Sequence, residues 1–102
     1  MMTDDARAIA RKAIGNVKVK VGDNVLGIGL DDYCLPCITY VTIESRDNDG
    51  YIIKTREQNP IKILVRSIKD YFPDTLQNRH IIRNACKQIC EEHFKEVKKQ
   101  FS

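Results

Sequence analysis

The sequence lacks the features that mark several classes of protein. Its longest apolar runs, such as residues 25–30, are far too short to cross a bilayer, and its first residues lack the basic and apolar regions of a secretory signal. It contains two histidines and no nucleophile elbow or phosphate-binding loop. We therefore expect a cytoplasmic, non-enzymatic protein with no catalytic residues, no cofactor and no membrane association.

Length and cysteine content limit how the chain can fold. A chain of 102 residues has the ordinary size of one domain, which we expect to span residues 1–102. Such a chain buries roughly two-thirds of its unfolded surface, which is enough to fold without a metal or a disulfide. In a reducing compartment the four cysteines are better interpreted as thiols or metal ligands than as disulfides.

Hydrophobic periodicity predicts a helix and then a hairpin in the first part of the chain. Residues 3–16 carry apolar side chains at helical spacing behind a capping Thr3. Residues 17–21 alternate between valine and lysine, which is typical of a strand with one buried face. A two-residue turn at 23–24 would pair this strand with residues 25–30 and put all six apolar side chains on one face.

Two further strands are predicted at residues 38–45 and 51–57, joined by a polar turn at 46–50. Pairing Ile43 with Ile53 would bring four other side chains together on the opposite face of these strands. Those side chains are Tyr40, Thr42, Lys54 and Arg56.

The last part of the chain predicts two helices. Residues 60–72 keep helical spacing until Pro73, and Asp74 resembles the cap of a final helix that runs to about residue 100. The predicted fold is therefore α+β, a four-stranded antiparallel meander sheet with helices on one face and the order α-β-β-β-β-α-α. The apolar stripes of the helices need the sheet as a surface to bury against.

Five residues have spacings that would suit zinc. Cys34 and Cys37 have the spacing of a metal knuckle, while Cys86, Cys90 and His93 lie at i, i+4 and i+7 of one helical face. The helical cysteines also fall within an apolar stripe, where free cysteine serves as a small buried hydrophobe. We therefore predict no metal site, and a zinc-stabilised domain remains an alternative that would use these five side chains.

A cluster of basic residues is the one feature that suggests a function. The formal net charge of +3 is mild, but the chain from Arg7 to Lys20 contains no acidic residue. The predicted register adds basic side chains on an open sheet face, although lysine is also common on exposed strands that bind nothing. The candidate partner-binding residues are Arg7, Arg11, Lys18, Lys20, Tyr40, Lys54 and Arg56.

These residues predict a small binding or regulatory protein that recognises a macromolecular partner through the basic sheet face and the first helix. A protein partner is favoured over nucleic acid, because a single-strand binder stacks bases on several aromatic side chains and this face offers only Tyr40. Nucleic-acid binding by the same surface is the alternative. A homo-oligomer is compatible with the sequence.

Overall fold

The computed structural model describes residues 2–55 and 59–101. Within these residues the strands form one five-stranded antiparallel sheet in the order β4-β3-β2-β1-β5. The elements in chain order are α1 (Met2–Ile14), β1 (Asn24–Leu30), β2 (Pro36–Arg46), β3 (Gly50–Thr55), β4 (Ile61–Leu64), a 3-10 helix (Val65–Asp70), β5 (Phe72–Pro73) and α2 (Leu76–Phe101). The predicted α+β class and antiparallel meander are confirmed, but the meander contains β4 in place of the predicted strand over residues 17–21, and β5 adds a fifth strand beside β1.

The predicted pairing of β2 with β3 is confirmed. Ile43 lies opposite Ile53, and Thr42 lies opposite Lys54. The turn between the strands is closed by Asp47, whose carboxylate accepts the backbone N–H groups of Asp49 and Gly50 at 2.8 and 3.0 Å.

The predicted hairpin of residues 17–21 with residues 25–30 is wrong. β2 pairs along one edge of β1, and β5 occupies the start of the other edge. The loop after α1 instead joins β2, where Gly22 donates its N–H to the carbonyl of Ile43 at 2.8 Å. Only Val19 packs against the core, while Val17 and Val21 are 48% and 47% exposed. Residues 17–21, in which valine and lysine alternate, therefore form a loop, because β1 pairs with β2 and β5 instead.

The predicted helix over residues 60–72 is also wrong, because this segment contains β4, the 3-10 helix and β5. Ile61 and Ile63 are β-branched and alternate with Lys62, which suits a strand as well as a helix. Gly50 on β3 decides between the two, because a side chain there would collide with the carbonyl oxygen of Ile63. The missing Cβ lets the backbone of β4 approach and pair with β3.

The final helix forms as predicted, but its cap lies one residue later than expected. Thr75 accepts the N–H of Asn78 on its hydroxyl at 3.0 Å, which is the N-cap bond. Asp74 instead binds the guanidinium of Arg79. In the described residues neither α1 nor α2 has an apolar stretch that could span a bilayer.

The sheet is buried on both faces, whereas the sequence pattern predicted one buried face. On one face α1 and α2 cover a cluster that includes Leu26, Ile28 and Phe72. On the other face Val25 and Ile43 belong to a second cluster, which the loop after α1 and the 3-10 helix cover. The apolar side chains that alternate along β1 and β2 therefore pack in two separate hydrophobic clusters, one on each face of the sheet.

These burial values predict different costs for two truncations. Ile28→Ala should lower the free energy of unfolding by about 2 to 5 kcal/mol, because Ile28 is 4% exposed. Val17→Ala should lower it by well under about 1 kcal/mol, because half of this side chain is in water. Urea unfolding of the two variants measures both values. Equal losses of unfolding free energy in the two variants would contradict the exposure of Val17 and support the predicted hairpin of residues 17–21 with residues 25–30.

Candidate functional site

Tyr40 lies on the helix-covered face of the sheet, where two arginines of α2 hold its ring. The guanidinium carbon of Arg79 lies 5.2 Å from the ring centroid, which is a cation–π contact. Arg83 donates a hydrogen bond from Nη2 to the phenol oxygen at 2.5 Å. Because residues four apart share a face of a helix, both arginines reach the same tyrosine.

A carboxylate at the start of α2 orients Arg79. Asp74 accepts hydrogen bonds from Nε at 2.5 Å and from Nη2 at 2.9 Å, which is the two-point geometry that guanidinium and carboxylate favour. The hydrogen bonds that Arg79 donates to Asp74, together with the negative charge of Asp74, raise the pKa of Arg79 above its ordinary value. Arg79 is therefore a positioning residue for Tyr40, and its charge is balanced.

Tyr40 lines a cleft of about 320 Å³, which we call the Tyr40 cleft. Thr42 and Lys54 come from the paired strands β2 and β3, and the hydroxyl of Thr42 donates to the side-chain oxygen of Asn24 at 3.1 Å. The polar residues that line the cleft are Asn24, Tyr40, Thr42, Lys54, Thr55 and Asp74. Hydrogen-bonding groups and an aromatic ring therefore converge on one concave surface.

The charge around the Tyr40 cleft is positive. Lys54 and Arg83 are exposed, and neither forms an ion pair with another described residue. Among the described residues, the carboxylate in the lining is that of Asp74, which Arg79 already binds. An anionic group that enters the cleft therefore meets Lys54 in this described lining, with Arg83 bound to Tyr40 beside it.

The predicted site residues of the first helix do not reach this cleft. Arg7 donates from Nη2 to the backbone carbonyl of Ile28 at 2.8 Å. Arg11 forms an ion pair with Asp70 of the 3-10 helix, whose side chain is 17% exposed. Both arginines therefore bind parts of their own fold, and they attach α1 to the sheet and to the 3-10 helix.

Lys18 and Lys20 lie in the loop after α1 and are exposed. They flank Val19, which packs on the cluster of the opposite sheet face. Arg56 lies outside the described residues. The structure thus brings Tyr40 and Lys54 together and separates them from the other predicted site residues that it describes.

Five residues of the site were not predicted from the sequence: Asn24, Thr55, Asp74, Arg79 and Arg83. The spacing of Arg79 and Arg83 shows that they share a face of α2, but it does not show which face meets the sheet. The error over residues 17–21 also hid Asn24, because it placed this residue in a turn and not beside Thr42.

The thiols of Cys37, Cys86 and Cys90 lie close enough to influence one another, whereas Cys34 is exposed in the turn before β2. Burial is the main cause that raises the pKa of Cys86 to about 11, and the nearby thiols of Cys37 and Cys90 add to it. Burial, followed by the charge of Asp31, also raises the pKa values of Cys37 and Cys90. These three side chains therefore favour the neutral thiol.

The five residues considered for zinc do not form a site in the described part of the chain. No three histidine, cysteine or acidic side chains there are arranged to hold one metal ion. Cys86 instead contributes to the apolar cluster under α2. The helical spacing of Cys86 and Cys90 thus reflects packing against the sheet.

Comparison with protein-family models, curated proteins and solved structures finds no match to this chain.

The thiol environments predict an order of alkylation. At pH 8 iodoacetamide should modify Cys34 first and Cys86 last, because the reactive species is the thiolate and the pKa of Cys86 is about 11. Labelling of Cys86 in the folded protein should rise only as the pH approaches that value. Peptide mapping by mass spectrometry after timed labelling measures the rates, and labelling in denaturant, where the rates should converge, is the control. Equal rates for the two cysteines in the folded protein would contradict the burial of Cys86.

Proposed function

We propose that this chain is a small, non-enzymatic binding domain that recognises a protein partner through the Tyr40 cleft. The observation that carries the proposal is the convergence of Tyr40, Thr42 and Lys54 on one concave surface beside Arg83. The partner that fits this surface presents an acidic side chain or segment. Lys54 and Arg83 attract its carboxylates, while the hydroxyl and amide groups of the lining supply hydrogen bonds.

A protein partner fits the cleft better than a nucleic acid does. Base stacking needs open aromatic faces, and the ring of Tyr40 is half-buried and already in contact with Arg79. The exposed aromatic side chains among the described residues, Tyr33 and Phe94, do not line the cleft. A groove that tracks a phosphate backbone also needs more positive charge than Lys54 and Arg83 supply.

A binding role also accords with the chemistry of the lining. Its polar part contains no histidine or cysteine, and Asp74 is engaged by Arg79, so the described lining lacks a nucleophile with an adjacent base. We place the protein in a reducing cytoplasm, which accords with four cysteines that remain free thiols. We infer that such a binding domain has a regulatory role.

One pair of charge reversals tests this proposal. Lys54→Glu should reduce the recovery of the partner by about tenfold, because the reversal repels an acidic partner during association. Lys18→Glu changes the net charge equally and should leave recovery unchanged, because Lys18 lies in the loop on the other face. Both residues are exposed, so the melting temperature should stay close to that of the wild type. Affinity capture from the native host, read by mass spectrometry, measures the recovery.

Three outcomes would contradict the proposal. Loss of the partner with Lys18→Glu and not with Lys54→Glu would move the site to the basic loop after α1. A partner that disappears after nuclease treatment, and whose affinity falls steeply with salt, would make the domain a nucleic-acid binder. Equal retention by both variants would exclude an electrostatic site at either place.

A further inference from the structure

The last part of α2 extends beyond the core of the protein. Buried residues recur along the helix up to Ile89, and no residue from 90 to 99 is buried. A helix of 26 residues is about 39 Å long at a rise of 1.5 Å per residue, and the whole molecule measures 51 × 26 × 21 Å. The C-terminal part of α2 therefore projects along the long axis, with little of the protein around it.

This projecting part carries an apolar stripe. Phe94 is 58% exposed, and Cys90 and Val97 on the same side are half-buried. The spacings of four and three residues between them are those of the seam of a coiled coil. We call these three side chains the Phe94 stripe. An exposed phenylalanine at the centre of such a seam marks a surface for another helix.

Two opposite charges border the Phe94 stripe. Glu91 precedes Phe94 by three residues and Lys98 follows it by four, so both lie on one side of the stripe, two helical turns apart. Both are exposed, and neither forms an ion pair or hydrogen bond with another described residue. Each copy of the helix thus has a negative charge before the phenylalanine and a positive charge after it.

We propose that the Phe94 stripe binds the same stripe of a second copy of this chain, with the two helices antiparallel. A two-fold axis near Phe94 places Glu91 beside Lys98 of the second copy, and the same symmetry places Lys98 beside Glu91 of the second copy. Positions of this kind flank the seam of a coiled coil, where opposite charges set partner choice and orientation. The surface is therefore complementary to itself.

The charges also select the antiparallel orientation. In a parallel pair, each flanking residue faces the opposite flank of the other helix's seam, so Glu91 and Lys98 would lie apart and both attractive pairs would be lost. The contact is short, since the Phe94 stripe contains about two helical turns, so we expect a concentration-dependent dimer. Interfaces below about 1,200 Å² are typical of transient complexes. A dimer of this kind forms at high protein concentration, so the full chain is measured up to about 500 µM under reducing conditions.

Charge reversal at two positions tests this dimer. Glu91→Lys and Lys98→Glu should each weaken self-association about tenfold, because each replaces two attractive pairs by two repulsive ones. An equimolar mixture of the two variants should associate as the wild type does, since both interhelical pairs are again of opposite sign. The double variant E91K/K98E should also recover the dimer. Sedimentation equilibrium measures all five samples.

Two apolar truncations complete the test. Phe94→Ala should abolish the dimer, whereas Leu76→Ala, which truncates an exposed leucine at the start of α2, should leave it unchanged. Circular dichroism should show the same helix content and melting temperature for both variants. A wild-type chain that stays monomeric up to about 500 µM would overturn the proposal, because a dimer with a Kd of about 1 mM or lower would be detected at that concentration. A mixture that associates no better than either single reversal would overturn it as well.

Discussion

Two neighbouring residues of β1, Val25 and Leu26, point to opposite faces of the sheet and are 1% and 0% exposed. Burying such side chains contributes about 1.5 to 3 kcal/mol each, so both faces of the sheet must be covered at this point. The helices cover the face of Leu26, and the loop after α1 with the 3-10 helix covers the face of Val25. The rest of the chain is arranged around this requirement.

The way in which the helices and the loop after α1 divide the two faces determines which part of the sheet stays accessible to solvent. α1 and α2 pack mainly against β1 and β2, so the helix layer ends before β3. Tyr40 lies at this boundary, held by Arg79 and Arg83 from the helix side, and Lys54 lies on the uncovered strand beyond it. A cleft at the border of two layers thus combines side chains that are fixed by packing with side chains that remain in water.

The sequence predicted those elements whose partners are near in the chain. The register of β2 and β3 follows from a short turn and from Ile43 opposite Ile53, and this register also predicted that Tyr40 and Lys54 share a face. The predictions for residues 17–21 and 60–72 were wrong because their patterns suit more than one structure. Contacts remote in sequence, with β2 for the first segment and with β3 and β1 for the second, decide between those structures.

The hydrogen bond from Arg7 to the carbonyl of Ile28 occupies an acceptor on the edge of the sheet. Among the described residues, β5 pairs with Val25 and Leu26 alone, so the remainder of this side of β1 is an edge of the described sheet. An edge of this kind is a template for a strand from another molecule. A strand that approached Ile28 would have to displace a guanidinium that α1 holds over the carbonyl. Arg7 of α1 thereby hinders the pairing of a further strand with this edge of β1.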